Sequence, residues 1–317
     1  YLLIQWLLLL GSIYLLVSGV KDHNKRIIIW IMGLIFISST YFWRLHVERG
    51  QVYILNVFLI ALSYRLARSN KTALMTLAGL IFGFAVSLRP PLLLFGIPVL
   101  FFRKWKLLLG GIIGLPLGIF LPGIQSGHLY WSSYFSAMKI HALAHLGELR
   151  MIYSQNQLYN IEGITNWEAA KLPIEDSSLL NLFKYYLRIP LYPYILEIIF
   201  LILLVMMLVF IINKKKFTAG MDFVFLWGVL FVFLADFFIP AARYSYNNVI
   251  WLPVFALIII SERRLTENRF LLILLSLGLL FSVAFTYYAL TPLISDYFIL
   301  IFSVYYCMKL SEVHAEK

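Results

Sequence analysis

Charge is scarce in this chain. Only 13% of its 317 residues are Asp, Glu, Lys or Arg, against 62% hydrophobic and 17% aromatic, and the mean hydropathy is +0.87. One water-soluble core cannot hide that much apolar surface, so lipid must be the solvent for most of the chain. Cysteine is scarcer still: Cys307 is the only one, which excludes an intramolecular disulfide framework. There is no G-x-S-x-G, P-loop or C-x-x-C, so hydrolase, nucleotide-driven and thiol-redox readings have no handle. Acidic residues are the rarer sign, 15 against 26 basic, for a net charge of +11. The basic residues form short clusters between apolar runs and no continuous stripe, which argues against nucleic acid as a partner. No internal repeat is visible, so the inverted-repeat signature of many secondary transporters is missing.

What is present is a succession of apolar runs, at about 1–20, 27–43, 51–66, 73–88, 91–102, 107–124, 190–212, 221–239, 249–261, 270–290 and 297–309. Their lengths predict an all-α polytopic membrane protein of about 11 transmembrane or re-entrant helices. One transmembrane domain is expected over 1–317, with an extracytoplasmic loop at 125–189 inserted in it. That loop is too long for a mere connector. Within it Trp131, Tyr134, Phe135, Met138 and Ala142 recur at helical spacing, which predicts an amphipathic helix in the interface, and 178–188 is a second helical candidate. Its middle, 153–167, is rich in Asn and Gln. The chain opens on Tyr1 inside an apolar run, with no initiator Met, and is expected to be an N-terminally truncated piece of a longer protein.

Orientation follows from Lys and Arg. The clusters at 21–26, 65–71, 103–106, 214–216 and 262–269, with Lys309 and Lys317, hold 17 of the 26 basic residues. The positive-inside rule makes these the cytoplasmic side. The opposite face then carries 44–51, 88–91, 125–189, 240–248 and 292–296. A multi-pass protein of a bacterial cytoplasmic membrane, with its site facing outward, is the expectation.

Polar residues in such a chain mark the places to seek chemistry. His46, Glu48, Arg49 and Gln51, with Arg44 upstream, sit just before the third run. Together they have the groups to place a hydroxyl, hold an anion or shift one another's pKa, although an ion pair at headgroup level is the plainer reading. Arg89, in S-L-R-P-P between two short apolar runs, is a guanidinium at the membrane boundary suited to bidentate phosphate binding; snorkelling to lipid is its plain reading. Asp236 ends a wholly apolar stretch and takes Arg243 as its expected partner, whether for function or as a structural pair tying two helices. Tyr244, Tyr246, Asn247 and Asn248 add ring faces and amides of the kind that bind sugars. Glu197, one turn into its run, points either to the same cavity or to the interface. His141, His145 and Glu148 have the H-x-x-x-H-x-x-E spacing of one helical face, but no further ligand-rich stretch accompanies them, so no metal or other cofactor is expected.

The residues R-G-Q-V-Y-I-L-N at 49–56, then A-G-L-I-F-G-F-A-V-S-L-R-P-P at 78–91 and the basic R-K-W-K at 103–106, together resemble the glycosyltransferase-C superfamily. The nearest branch is glycosyltransferase family 87, polyprenol-phosphate-mannose dependent, whose members show G-Q-x-N and a later L-K-P or L-R-P. Gly50 and Gln51 match the first element and Leu88, Arg89 and Pro90 the second, while Tyr53 stands where the family often has Asn. The resemblance implies an integral membrane enzyme that moves a sugar, mannose or another hexose or pentose, from a polyprenyl-phosphate donor to an extracytoplasmic glycolipid or glycan. It also implies a catalytic Asp in a first outer loop, expected upstream of Tyr1, with Glu48 and Asp236 in reserve. Arg89 and Arg243 would then hold the phosphate, and Gln51, Arg49, His46, Tyr244, Tyr246 and Asn247 the remaining substrate groups. Membrane lipid is the other expected partner. A transporter or flippase of a lipid-linked or anionic solute, and a lipid-carrier-dependent polysaccharide polymerase or ligase, are the rival readings.

Overall fold

A computed structural model describes the chain except for residues 38–39, 49, 52, 70, 128–130, 138, 140–176, 214–219, 240–242, 244, 262–268, 285–289 and 316–317. The described residues form helices joined by short connections, with no strand among them. The helices are α1 (Leu2–Val17), α2 (His23–Ile31) with a π-helical continuation (Met32–Ile37), α3 (Tyr41–Glu48), α4 (Tyr53–Ala67), α5 (Thr72–Leu88), a 3-10 turn (Pro90–Phe95) leading into α6 (Gly96–Phe101), and α7 (Trp105–Ser126). A short turn (Leu179–Asn181, then Leu182–Tyr186) precedes α8 (Pro193–Asn213) and α9 (Met221–Phe238). A 3-10 turn (Ser245–Ile250) runs into α10 (Trp251–Ser261), followed by α11 (Arg269–Ala284) and α12 (Leu290–Ala315).

Helices thus overlie all eleven apolar runs, while the length and composition that mark a crossing are met by fewer of the described helices. By length and composition two described helices can cross a bilayer, Pro193–Ile211 and Met221–Phe238, or three if Phe42–Glu48 and Tyr53–Ala67 count as one bent span. Several other apolar helices are shorter; Arg89-Pro90-Pro91, for one, ends α5 where the missing N–H groups stop the ladder.

The core is α9. Every residue from Phe223 to Ala235 is buried, as a helix apolar all round must be when neighbours cover it on every side. Rings interlock around it: Phe95 lies 4.1 Å from Phe82 and 4.8 Å from Phe225, and Trp251 lies 5.7 Å from Phe233 and 5.4 Å from Phe42. The last three of these pairs are edge-to-face, an arrangement that adds to plain burial by roughly 0.5–1.5 kcal/mol each.

Beside the core, α5 and α7 approach backbone to backbone. A Cβ on Gly79 would stand 2.9 Å from Gly110 Cα, and one on Gly114 would overlap the Leu80 carbonyl. Where lipid tails are as apolar as side chains, close contact of this kind is what holds two helices together.

The chain's two ends of the bundle differ in chemistry. At one, Lys25 donates to the Ile260 carbonyl (2.9 Å), Arg68 pairs with Asp222 (3.3 Å) and Lys106 donates to Thr72. Three of the basic clusters therefore share an end. At the other lie Gln51, Arg89, Ser177, Asp236 and Arg243. α9 connects the two, carrying Asp222 at its start and Asp236 near its finish. Of the two helices expected at 125–189, residues 131–137 are helical, with Trp131 against Tyr134 (5.7 Å), and the second begins at Ser178, whose side chain caps it by accepting from Asn181 N (3.2 Å). The polar stretch 153–167 and the set His141, His145 and Glu148 lie outside the described residues.

Candidate active site at one end of the bundle

Two buried ion pairs organise this end. Arg89, 6% exposed at the stop of α5, closes on Asp236, whose side chain is 7% exposed near the finish of α9. The ring of Tyr53 covers the same guanidinium, 5.0 Å from its carbon. Tyr53 in turn faces Tyr246 at 5.5 Å. The result is a cation bound by a carboxylate on one side and an aromatic face on another.

Arg243 is not the partner of Asp236, contrary to the sequence expectation. It sits in the second pair, donating from Nη1 to Asp296 Oδ2 (2.6 Å) and to Ser177 Oγ, and from Nη2 to Asn248 Oδ1 (2.5 Å). Asn248 Nδ2 completes the ring by donating to Asp296 Oδ1 (2.6 Å). Phe237 stacks on the guanidinium at 4.0 Å. Their closeness in sequence, seven positions apart, suggested a pair, but Asp236 belongs to α9, whereas Arg243 lies beyond that helix and bonds Asp296 on α12. Asp296 was placed in an outer connector by the sequence reading and so was missed. Asp296 in fact lies within α12, and its signal was an acid followed at once by the apolar run at 297–309, where a charge needs a partner.

The cluster at 44–51 divides. Glu48 is half exposed and paired with Arg44 at 2.6 Å, one turn away on α3. His46 is fully buried: its Nε2 accepts from Ile54 N (3.1 Å), and its ring stacks on Trp43 at 5.6 Å and 9°. It therefore satisfies an amide in the first turn of α4, with the ring proton assigned to Nδ1 by that bond. Gly50, at φ +63, makes the turn between α3 and α4. The Gln51 carbonyl there accepts from Tyr1 Oη (2.8 Å) and Gln5 Nε2 (3.0 Å), and the Gln51 side chain is half-buried. Tyr246 and Asn247 are buried beside this turn; Asn247 Oδ1, Asn56 Oδ1 and Gln5 Oε1 are buried acceptors with no donor among the described residues. Each such acceptor costs about 1–3 kcal/mol until a donor meets it. Arg49 and Tyr244 lie outside the described residues, and Glu197 is exposed on α8. No group of His, Cys, Asp or Glu suited to a metal occurs among the described residues.

Residues 1–236 match the family model for glycosyltransferase family 87. The chain belongs to that family. Family 87 membership makes it a membrane glycosyltransferase, in agreement with the apolar helices and with the G-Q and L-R-P elements. The matched range takes in Gln51, Tyr53, Arg89 and Asp236, and the second pair, Arg243 with Asp296, falls beyond it. No curated protein and no solved structure matches the chain.

Proposed function

We propose that this glycosyltransferase moves a sugar from a polyprenyl-phosphate donor to a hydroxyl of a glycolipid or glycan, at the bundle end that carries Arg89 and Asp236, on the extracytoplasmic side. The observation that carries the reading is the Arg89–Asp236 pair under the Tyr53 ring. A donor phosphate competes with Asp236 for the guanidinium. Once it takes that place, the carboxylate is released to act as a base. The acceptor oxygen then forms a bond to the anomeric carbon, the bond from that carbon to the phosphate oxygen breaks, and the electron pair leaves with the phosphate. The acceptor's proton passes to Asp236 and Arg89 holds the departing charge. Tyr53 and Tyr246 offer ring faces to the sugar, and Asn247 an acceptor for one of its hydroxyls. Glu48, held by Arg44 at the surface, is the second candidate for the base, and the buried Arg243 is committed to Asp296. Lipid-borne donor and lipid-borne acceptor both reach such a site from the bilayer.

The test is sugar transfer by the full-length protein in membranes, with a synthetic polyprenyl-phosphate sugar. Arg89→Met with Asp236→Leu removes both charges together, so no ion is left buried alone. Transfer should fall at least about a hundredfold, the scale set by losing a charge-stabilising donor and a base, while insertion and melting stay near wild type. Transfer at the normal rate would overturn the assignment.

A further inference from the structure

A second basic feature lies away from the Arg89–Asp236 pair. Between the turn at Leu182–Tyr186 and the start of α8 is a hollow of about 440 Å³, walled by Leu180, Lys184, Arg188, Pro190, Leu191 and Tyr192. Two walls are cations, both exposed, and no carboxylate is among its described lining residues.

Its depth in the bilayer follows from α8. That helix is long and apolar enough to cross, and Ile198, Ile202, Val205 and Met206 are each half or more exposed, so its flank faces lipid. At the head of the span, Tyr192 and Tyr194 are exposed and stacked at 5.6 Å. Tyrosines of that kind settle at headgroup level, ring toward the tails and hydroxyl toward water. The hollow opens at the same level, where lipid phosphates lie. Arg188 itself stands at φ +54, a left-handed conformation that a side-chain-bearing residue rarely adopts. The turn holds a guanidinium where glycine would sit with less strain.

We propose that this hollow docks the phosphodiester headgroup of an anionic phospholipid from the surrounding bilayer. Arg188 forks two phosphate oxygens, Lys184 adds a point charge, and the acyl chains lie along the exposed flank of α8. A sugar donor is the poorer occupant, because its phosphate has to be brought beside a base, and none is among the described residues that line this hollow. The proposal stands independently of the Arg89 reading. It reaches the neighbouring network all the same: a few residues upstream of the hollow, Ser177 N donates to the Arg243 carbonyl at 2.9 Å.

The experiment is native mass spectrometry of the full-length protein in detergent, with phosphatidylglycerol, phosphatidylcholine, a polyprenyl monophosphate and inorganic phosphate offered in turn. Wild type should retain one phosphatidylglycerol at least about tenfold more strongly than phosphatidylcholine, as two interfacial cations imply. Lys184→Gln with Arg188→Gly should lose that discrimination and keep the melting temperature, since glycine accepts the left-handed turn. Equal retention of the two phospholipids, or discrimination that survives in the double variant, would overturn the proposal. Displacement by millimolar inorganic phosphate would reassign the hollow to free anions, and tighter retention of the polyprenyl monophosphate would reassign it to the donor; either sinks the phospholipid assignment.

Discussion

Arg243 and Asp296 meet at 2.6 Å with each side chain only 1% exposed, joining the segment after α9 to α12. Neither charge has water to fall back on, and Asn248 and Ser177 add hydrogen bonds to the pair. Asp296→Asn retains the shape and removes the counter-charge. It should cost about 3–5 kcal/mol, the usual penalty for a buried ion stripped of its partner, whereas Arg243→Met with Asp296→Leu should recover most of it. Denaturant titration of the detergent-solubilised protein measures both.

The seam between α5 and α7 separates glycines that touch backbone from those that do not. A Cβ on Gly114 overlaps the Leu80 carbonyl, but one on Gly111 meets only the Gly79 carbonyl at 3.8 Å, an ordinary contact. Gly114→Ala should therefore destabilise by about 1–3 kcal/mol, as overpacking does. Gly111→Ala should be neutral, or stabilising by up to about 1 kcal/mol through helix propensity. Melting temperatures of the two variants in the same micelle decide it.

Gly50 turns the chain from α3 into α4 at φ +63, with nothing closer than Tyr1 Oη at 3.8 Å to a Cβ built there. Space is available, so the penalty for Gly50→Ala is backbone strain alone, about 1–2 kcal/mol. Gly50→Asn should cost clearly less, because Asn visits that region routinely. If alanine proved as harmless as asparagine in an unfolding titration, the turn would not depend on the left-handed conformation.

Much of this molecule can be read from its residues. The apolar runs become helices because nothing else satisfies backbone groups in lipid, and Arg89 and Asp236 stand out because a charge in such surroundings needs a reason. Their partnership does not stand out. It spans 147 residues, and the nearer cation, Arg243, is drawn instead to an acid 53 residues onward. Pairing across a bundle depends on which helix faces which, and that is set by features such as the α5–α7 glycine seam, which composition does not reveal. His46 illustrates a second limit. An imidazole among charges looks like chemistry, yet here it accepts the Ile54 amide at a helix start. The number of crossings is elusive for a third reason: several apolar runs form helices shorter than a bilayer's thickness, as where Pro90 and Pro91 stop α5.

The α5–α7 seam bears on how a ligand gains entry. With their backbones in touch the two helices act mechanically as a single strut, and Arg89 rides on its tip. On the function proposed above, a donor phosphate that takes the guanidinium displaces Asp236 from a cation carried by that strut. Asp236 is mounted differently: three residues further on, Ile239 leaves α9 in extended geometry and the helix ends.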